Sequence, residues 1–169
     1  MFCINFFRDP SRIVTGDERA IIAPADGKVI RVEKVDDPRV GPAWLVSIFL
    51  NIFNVHANRM PVEGTFLAVT HKPGKFLAAF DHAASDENEQ TEILIQAPKG
   101  KVIVRQIAGL VARRILCYAR ENESMNRGDR LGFIMFGSRT DIIFPASVSL
   151  KIEVGQKTRG GETRIGEWT

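Results

Sequence analysis

Read for the alternation of apolar and polar residues, the chain is a succession of short strand patterns separated by turns rich in Gly, Pro and Asp. Ile21 to Val35 begins apolar, turns at Pro24-Ala25-Asp26-Gly27 and continues as an alternating strand, which predicts a hairpin. Trp44 to Phe53 is a near-continuous apolar run, as expected of a strand buried on both faces. Val62 to Val69 predicts another short strand, closed by a turn from His71 to Lys75, and Phe80 to Gln90 reads as a polar, solvent-facing loop. Glu92 to Ile95 and Lys101 to Gln106 alternate around Ala97 to Gly100 and predict a second hairpin. Ile107 to Arg120 fits a helical spacing, but Gly109 and its β-branched neighbours favour strands with a bend. Val148, Leu150, Ile152 and Val154 alternate with polar residues and predict a half-buried strand ending at Gly155. The expected fold is therefore mostly β, a single domain of barrel-sandwich type with few short helices.

Leu131 to Pro145, LGFIMFGSRTDIIFP, departs from this rhythm, because a Gly-Ser pair interrupts two buried strand patterns. Glycine inside a strand marks a bulge, a bend or a close backbone approach. A serine directly after it brings a hydroxyl within reach of the Gly137 carbonyl, which suits a nucleophilic serine or a backbone that cuts itself. A plain bulge is the alternative.

Composition narrows the setting. With 169 residues, 44% hydrophobic and 25% charged, the chain can bury a core of its own. The net charge of +3 is spread without a block of like charges, so no nucleic-acid partner is expected, while a mildly basic surface favours anionic ones. Cys3 and Cys117 form no CxxC pair and are expected to be free thiols in a cytoplasmic setting. No apolar run reaches the roughly 18 to 20 residues a membrane span needs. Contact between the aromatic start, MFCINFF, and lipid would be peripheral, and pairing of that segment along a sheet edge is the other reading.

Among chemically capable side chains, His56 stands at the end of the buried run, beside Asn58 and Arg59 and before Pro61. Neutral imidazole there would be a competent general base. Asp26 is either turn chemistry, its carboxylate bonding nearby N–H groups, or a carboxylate that orients a histidine elsewhere. His82 and the acids after it have no clean ligand spacing, so no metal is expected.

Taken in order, IIAPADGKV (21–29), FNVHANRMPVEG (53–64), HKPGKF (71–76), DENEQ (86–90), QIAGLVARRI (106–115) and FGSRTDIIFP (136–145) closely resemble the short bacterial-type phosphatidylserine decarboxylase proenzymes. The match covers nearly the whole chain, and FFRDP resembles the start of that family's catalytic domain. The resemblance implies self-cleavage at Gly137-Ser138 into a beta chain, 1–137, and an alpha chain, 138–169, with Ser138 converted into a covalent pyruvoyl cofactor. It implies an Asp-His-Ser triad for that step, matched here by Asp26, His56 and Ser138. Arg59 stands where longer members carry the second histidine of an HxxH pair, which makes it a candidate for substrate binding. The implied partners are a phospholipid substrate and a membrane surface on the cytoplasmic side, with homo-oligomerisation left open. Members usually carry an apolar segment ahead of FFRDP, whereas this sequence begins almost at that motif. An archaetidylserine decarboxylase would use the same chemistry on another lipid. A lipoyl-like carrier would need a lysine at an exposed hairpin tip, and Lys28 lies one residue past the turn. A phosphoryl-accepting domain would need two close histidines.

Overall fold

The computed structural model of the chain describes residues 4, 8–81, 83–110, 114–135 and 137–169, with only the backbone of Ser85. Its longest segments are those whose apolar pattern was strongest: β2 (Gly27–Asp37), β3 (Gly41–Leu50), β5 (Gly64–Lys72), β6 (Gln90–Ala97), β7 (Gly100–Ile107) and β11 (Ser138–Pro145). With β9 (Ser124–Met125) and β13 (Lys157–Thr158) they form an antiparallel sheet in the order β13-β2-β3-β11-β7-β6-β5-β9. Two three-stranded sheets accompany it. One is β1 (Ala20–Ile22), β14 (Arg164–Glu167) and β12 (Ser149–Leu150), and the other β4 (Ala57–Arg59), β10 (Arg130–Ile134) and β8 (Ile115–Cys117), each with β14 or β10 in the middle. The only described helix with a full turn, α1 (Ala84–Glu87), is four residues long. The fold is mostly β and sandwich-like, and the large sheet does not close into a barrel.

Alternation along the strands explains the layering. Val46, Ile48, Ile93, Ile95, Val102, Val104, Ile142 and Phe144 point to one face, where they meet Ile21, Leu131 and Ile165 from the smaller sheets. Leu45, Leu94, Ile103 and Ile143 point to the other face and make a second cluster. The apolar run of β3 is thus buried on both faces, as its composition implied, but the strand stops at Leu50. Asn51 to Asn54 form a turn, held by the Asn54 N–H on the Asn51 carbonyl at 3.1 Å, and Ile52 and Phe53 face solvent.

Several local expectations are corrected. Pro24 to Gly27 is a bend between sheets, not a hairpin turn: both edges of β2 are taken by β3 and β13, so β1 pairs with β14 instead. The strand expected over Val148 to Val154 shrinks to Ser149–Leu150, because β14 offers only a short edge, after which the chain turns and Val154 is exposed. The polar loop from Phe80 to Gln90 contains α1 and two buried amides, Asn88 and Gln90. β5 runs on through His71 and Lys72 before turning. The hairpin around Ala97 to Gly100 forms as expected, and Ile107 to Arg120 holds the end of β7, a bend at Leu110 and β8, with residues 111–113 outside the described ones.

β11 is hydrogen-bonded on both sides, pairing from Ser138↔Leu50 to Pro145↔Ala43 with β3 and from Arg139↔Ile107 to Ile143↔Ile103 with β7. Phe144, fully buried on this strand, anchors the main cluster. Phe144→Ala should therefore cost about 3 to 5 kcal/mol, the usual loss for an aromatic side chain removed from a packed core. A lower urea midpoint with an unchanged slope would report it.

Candidate active site

The Gly-Ser junction lies where β10 of a small sheet hands over to β11 of the large one. Gly137 has φ +58°, a left-handed conformation that glycine adopts without penalty. A Cβ on Gly137 would meet no atom of the described residues within 4 Å, and its requirement is conformational. Ser138 is fully buried, and its Oγ has no hydrogen-bond partner among the described residues. Buried hydroxyls are nearly always paired, so one left unpartnered calls for a chemical explanation.

His56 immediately precedes β4, and its carbonyl accepts a hydrogen bond from the N–H of Ile134 at 3.3 Å, on the strand that leads to Gly137. Two residues on, Asn58 donates from Nδ2 to Thr140 Oγ1 at 3.1 Å, two residues past Ser138. Side chains two apart along extended backbone share a face. Ser138 therefore lies on the Thr140 face of β11, the face that Asn58 meets. Gln106 extends this buried network, donating from Nε2 to Asn58 Oδ1 at 3.0 Å and to the Leu116 carbonyl at 3.1 Å.

The His56 ring is buried, and its Nδ1 lies 2.8 Å from the Asn54 carbonyl. A carbonyl can only accept, so Nδ1 carries the proton and Nε2 the lone pair of the neutral ring. Burial pushes the imidazole pKa down to about 4; the bond to Asn54 opposes this, and the positive charge of Arg8 adds to it.

The other two sequence candidates have different partners. Asp26 Oδ2 accepts from Arg12 Nη2 at 2.9 Å, and Oδ1 accepts from the Gly160 N–H at 2.8 Å. Arg59 donates to Asp9 at 2.6 Å, to the Pro10 carbonyl at 3.0 Å and to the Gly128 carbonyl at 3.1 Å. Both thus tie down the segment after Arg8, and Arg8 itself donates to the Phe53 carbonyl at 3.0 Å. The Asn58–Thr140 contact and the Ile134 bond to the His56 carbonyl tie the segments that carry His56 and Ser138 to each other, while Asp26 and Arg59 serve the frame around them. Cys117 is a free thiol whose pKa is raised by burial. Cys3, His82 and the phenylalanines at positions 2, 6 and 7 lie outside the described residues.

Sequence reasoning passed over Arg139, which is fully buried directly after Ser138. Its guanidinium donates to Asp141 Oδ1 at 2.7 Å, to Ser47 Oγ at 2.7 Å and to the Asp81 carbonyl at 3.0 Å. The signal was available: Arg139 and Asp141 are opposite charges two apart in a strand that runs on into Ile142, Ile143 and Phe144, on one face and therefore able to pair. Two grooves of about 280 and 450 Å³ share Glu63, Ala97, Pro98 and Asn126, at the end of β6 away from Ser138.

Comparison with known proteins puts the chain among decarboxylating lyases. It belongs to the phosphatidylserine decarboxylase family, whose model it matches over residues 1–166. A phosphatidylserine decarboxylase proenzyme of Prosthecochloris aestuarii is 46% identical over 166 residues, covering 98% of this chain and 76% of the relative. One from Chlorobium phaeobacteroides strain DSM 266 is 46% identical over 169 residues, covering 99% and 80%.

The low pKa of His56 has a consequence for stability. The unfolded chain takes up this proton below about 6.5 and the folded chain only below about 4, so the contribution is fully present above pH 6.5 and is lost as pH falls toward 4. Urea melts at pH 7 and pH 4.5 should show a smaller loss for His56→Gln than for the unsubstituted protein.

Proposed function

We propose that the chain converts phosphatidylserine to phosphatidylethanolamine with a pyruvoyl group made from its own Ser138. The observation that carries this reading is the junction itself, a left-handed glycine followed by a buried serine whose hydroxyl has no partner among the described residues. Ser138 Oγ adds to the Gly137 carbonyl carbon while its proton passes to His56 Nε2. Collapse breaks the C–N bond, the nitrogen takes a proton, and an ester joins the two chains. Loss of the Ser138 α-proton expels the Gly137 carboxylate. One water then hydrolyses the dehydroalanine, releasing ammonia and leaving pyruvoyl on residue 138. In place, that group supplies a ketone electrophile that accepts the electrons released with carbon dioxide.

The surroundings suit such a group. Arg139 and the ladders on both edges of β11 hold residue 138 in place once the bond before it is cut. Burial keeps water from the ester until the chain opens, and severing residue 137 frees that end to swing aside for substrate. Asp26 acts one step behind His56. With Arg12 and Gly160 it fixes the bend whose Pro24 carbonyl accepts from the Arg59 N–H at 2.8 Å, and this bond pins β4.

Denaturing electrophoresis with intact mass tests the reading. Purified protein should appear as fragments 1–137 and 138–169, and a single 18.8 kDa chain with an intact Ser138 would refute it. His56→Ala should slow cleavage roughly 10²- to 10⁴-fold, the range of a lost general base. Asp26→Asn should slow it less, since it keeps the bond to Gly160 and loses only the charge facing Arg12.

The substrate lies in a bilayer, and the same end of the molecule has an apolar rim. Ile52 and Phe53 follow β3, Phe80 stacks edge-on against Phe49 at 6.1 Å, and Leu110 is the bend after β7; Ile52, Phe53, Phe80 and Leu110 are 43, 68, 65 and 59% exposed. This rim is the surface that meets lipid, with Arg8 beside Phe53 for anionic headgroups. No described helix is long and apolar enough to cross a membrane. Replacing Phe53 and Phe80 with serine should weaken vesicle co-sedimentation by about 100-fold or more, from about 1.5 kcal/mol for each lost aromatic insertion. Unchanged binding would move the contact elsewhere.

A further inference from the structure

Two of the recurring motifs, DENEQ and QIAG, have no part in the chemistry above, yet the fold brings them together behind the Gly137-Ser138 bond. Asn88 is 1% exposed and uses its whole amide. Oδ1 accepts from the Leu77 N–H at 2.8 Å, while Nδ2 donates to the Leu77 carbonyl at 2.8 Å and to the Ala108 carbonyl at 2.7 Å. That is one acceptor and both amide hydrogens. The Ala108 N–H in turn donates to the Glu89 carbonyl at 2.9 Å. Ala108 is therefore held on both sides, its N–H by Glu89 and its carbonyl, which belongs to the Ala108–Gly109 peptide, by Asn88.

Gly109 then lies directly against the bond. A Cβ built on it would fall 2.0 Å from the Gly137 carbonyl oxygen and 3.2 Å from the carbonyl carbon, with Ala79 Cβ also 3.2 Å away. No real side chain tolerates the first distance, so the carbonyl can rest there only because residue 109 has none. On the side of its own Cα, Gly137 has no atom of the described residues within 4 Å of where a Cβ would stand. A glycine with one open flank is free to rotate its peptide unless something else stops it.

We propose that Asn88 and Gly109 are positioning residues for self-cleavage: the Asn88-pinned peptide forms a backstop that fixes the Gly137 carbonyl in the orientation Ser138 Oγ attacks. The inference rests on the cleavage reading above and adds to it a reason for the bond to be cut at a useful rate. Attack requires the reacting atoms to be held about 3 to 3.5 Å apart with the carbonyl face aligned, and a displacement of about 1 Å costs on the order of 100-fold. Gly109 sets the position of the oxygen, which takes the negative charge in the tetrahedral step. Asn88 sets the position of Gly109.

The test follows the appearance of fragment 138–169 over time in the unsubstituted chain and in Gly109→Ala, Asn88→Asp and Gly64→Ala, together with thermal unfolding and trapping by hydroxylamine, which cuts an ester but not a peptide bond. Gly64→Ala is the control for generic clash. Its Cβ would fall 2.6 Å from the Gln96 carbonyl, at the end of β6 away from Ser138. Gly109→Ala should unfold cooperatively yet cleave about 100-fold more slowly and yield no hydroxylamine-labile ester. Asn88→Asp keeps the acceptor for Leu77 but loses both donors, so it should be slowed in the same sense and to a smaller degree. Gly64→Ala should match the unsubstituted chain in rate even where its unfolding temperature falls.

Cleavage of Gly109→Ala and Asn88→Asp within about threefold of the unsubstituted rate would overturn the proposal, as would equal slowing in Gly64→Ala. Accumulation of the labile ester in Gly109→Ala would do the same, because attack would then be intact. Should Gly109→Ala fail to fold, Asn88→Asp against Gly64→Ala decides the matter alone. Failure of the unsubstituted chain to cleave would instead remove the reading beneath it.

Discussion

The double pairing of β11 is the constraint on which the rest depends. A strand with neighbours on both edges cannot slide or rotate without breaking a ladder, and its first residue is held by β3 on one edge and, through Arg139, by the start of the β7 ladder on the other. Ser138 is that first residue. The peptide just before it belongs to a turn between two sheets, with a left-handed glycine and an open flank. The Gly137-Ser138 bond therefore joins a left-handed glycine to the first residue of a paired strand.

The charges near this boundary behave as frame. Arg139, Asp141 and Ser47 satisfy one another inside the sheet, and the carbonyl of Asp81 completes the set. A buried ion pair of this kind contributes little net stability against an apolar substitute, but loss of one partner is costly, which makes it a device for fixing position. Farther out, Asp9, Arg12, Asp26 and Arg59 strap the segment after Arg8 across the loop that carries His56. The neutral imidazole is a product of the same burial, since a dry ring resists a proton.

Much of this was readable in the sequence. The strongly patterned runs became the long strands of the large sheet, and the interruption at Gly137-Ser138 was visible because a glycine and a polar residue break an apolar run. His56 was singled out as a polar group at the end of a buried apolar run, although the strand ends at Leu50 and His56 stands just before β4 instead. Short segments were misjudged where alternation was present but pairing was not: Val148 to Val154 has the right period and only a short edge to pair with. Pro24 to Gly27 has the residues of a hairpin turn and connects two sheets.

The sequence by itself determined which residues could be strands, which faces would be apolar, and where a bond could place a hydroxyl beside a carbonyl, because periodicity and side-chain chemistry are local properties. Only the tertiary structure decided which strands neighbour one another, and hence that Asn58 meets Thr140, that Asp26 is answered by Arg12 and that Gly109 lies against the Gly137 carbonyl. Those contacts join residues from 14 to 82 positions apart in the chain, and their formation depends on edges and volumes that no local window contains.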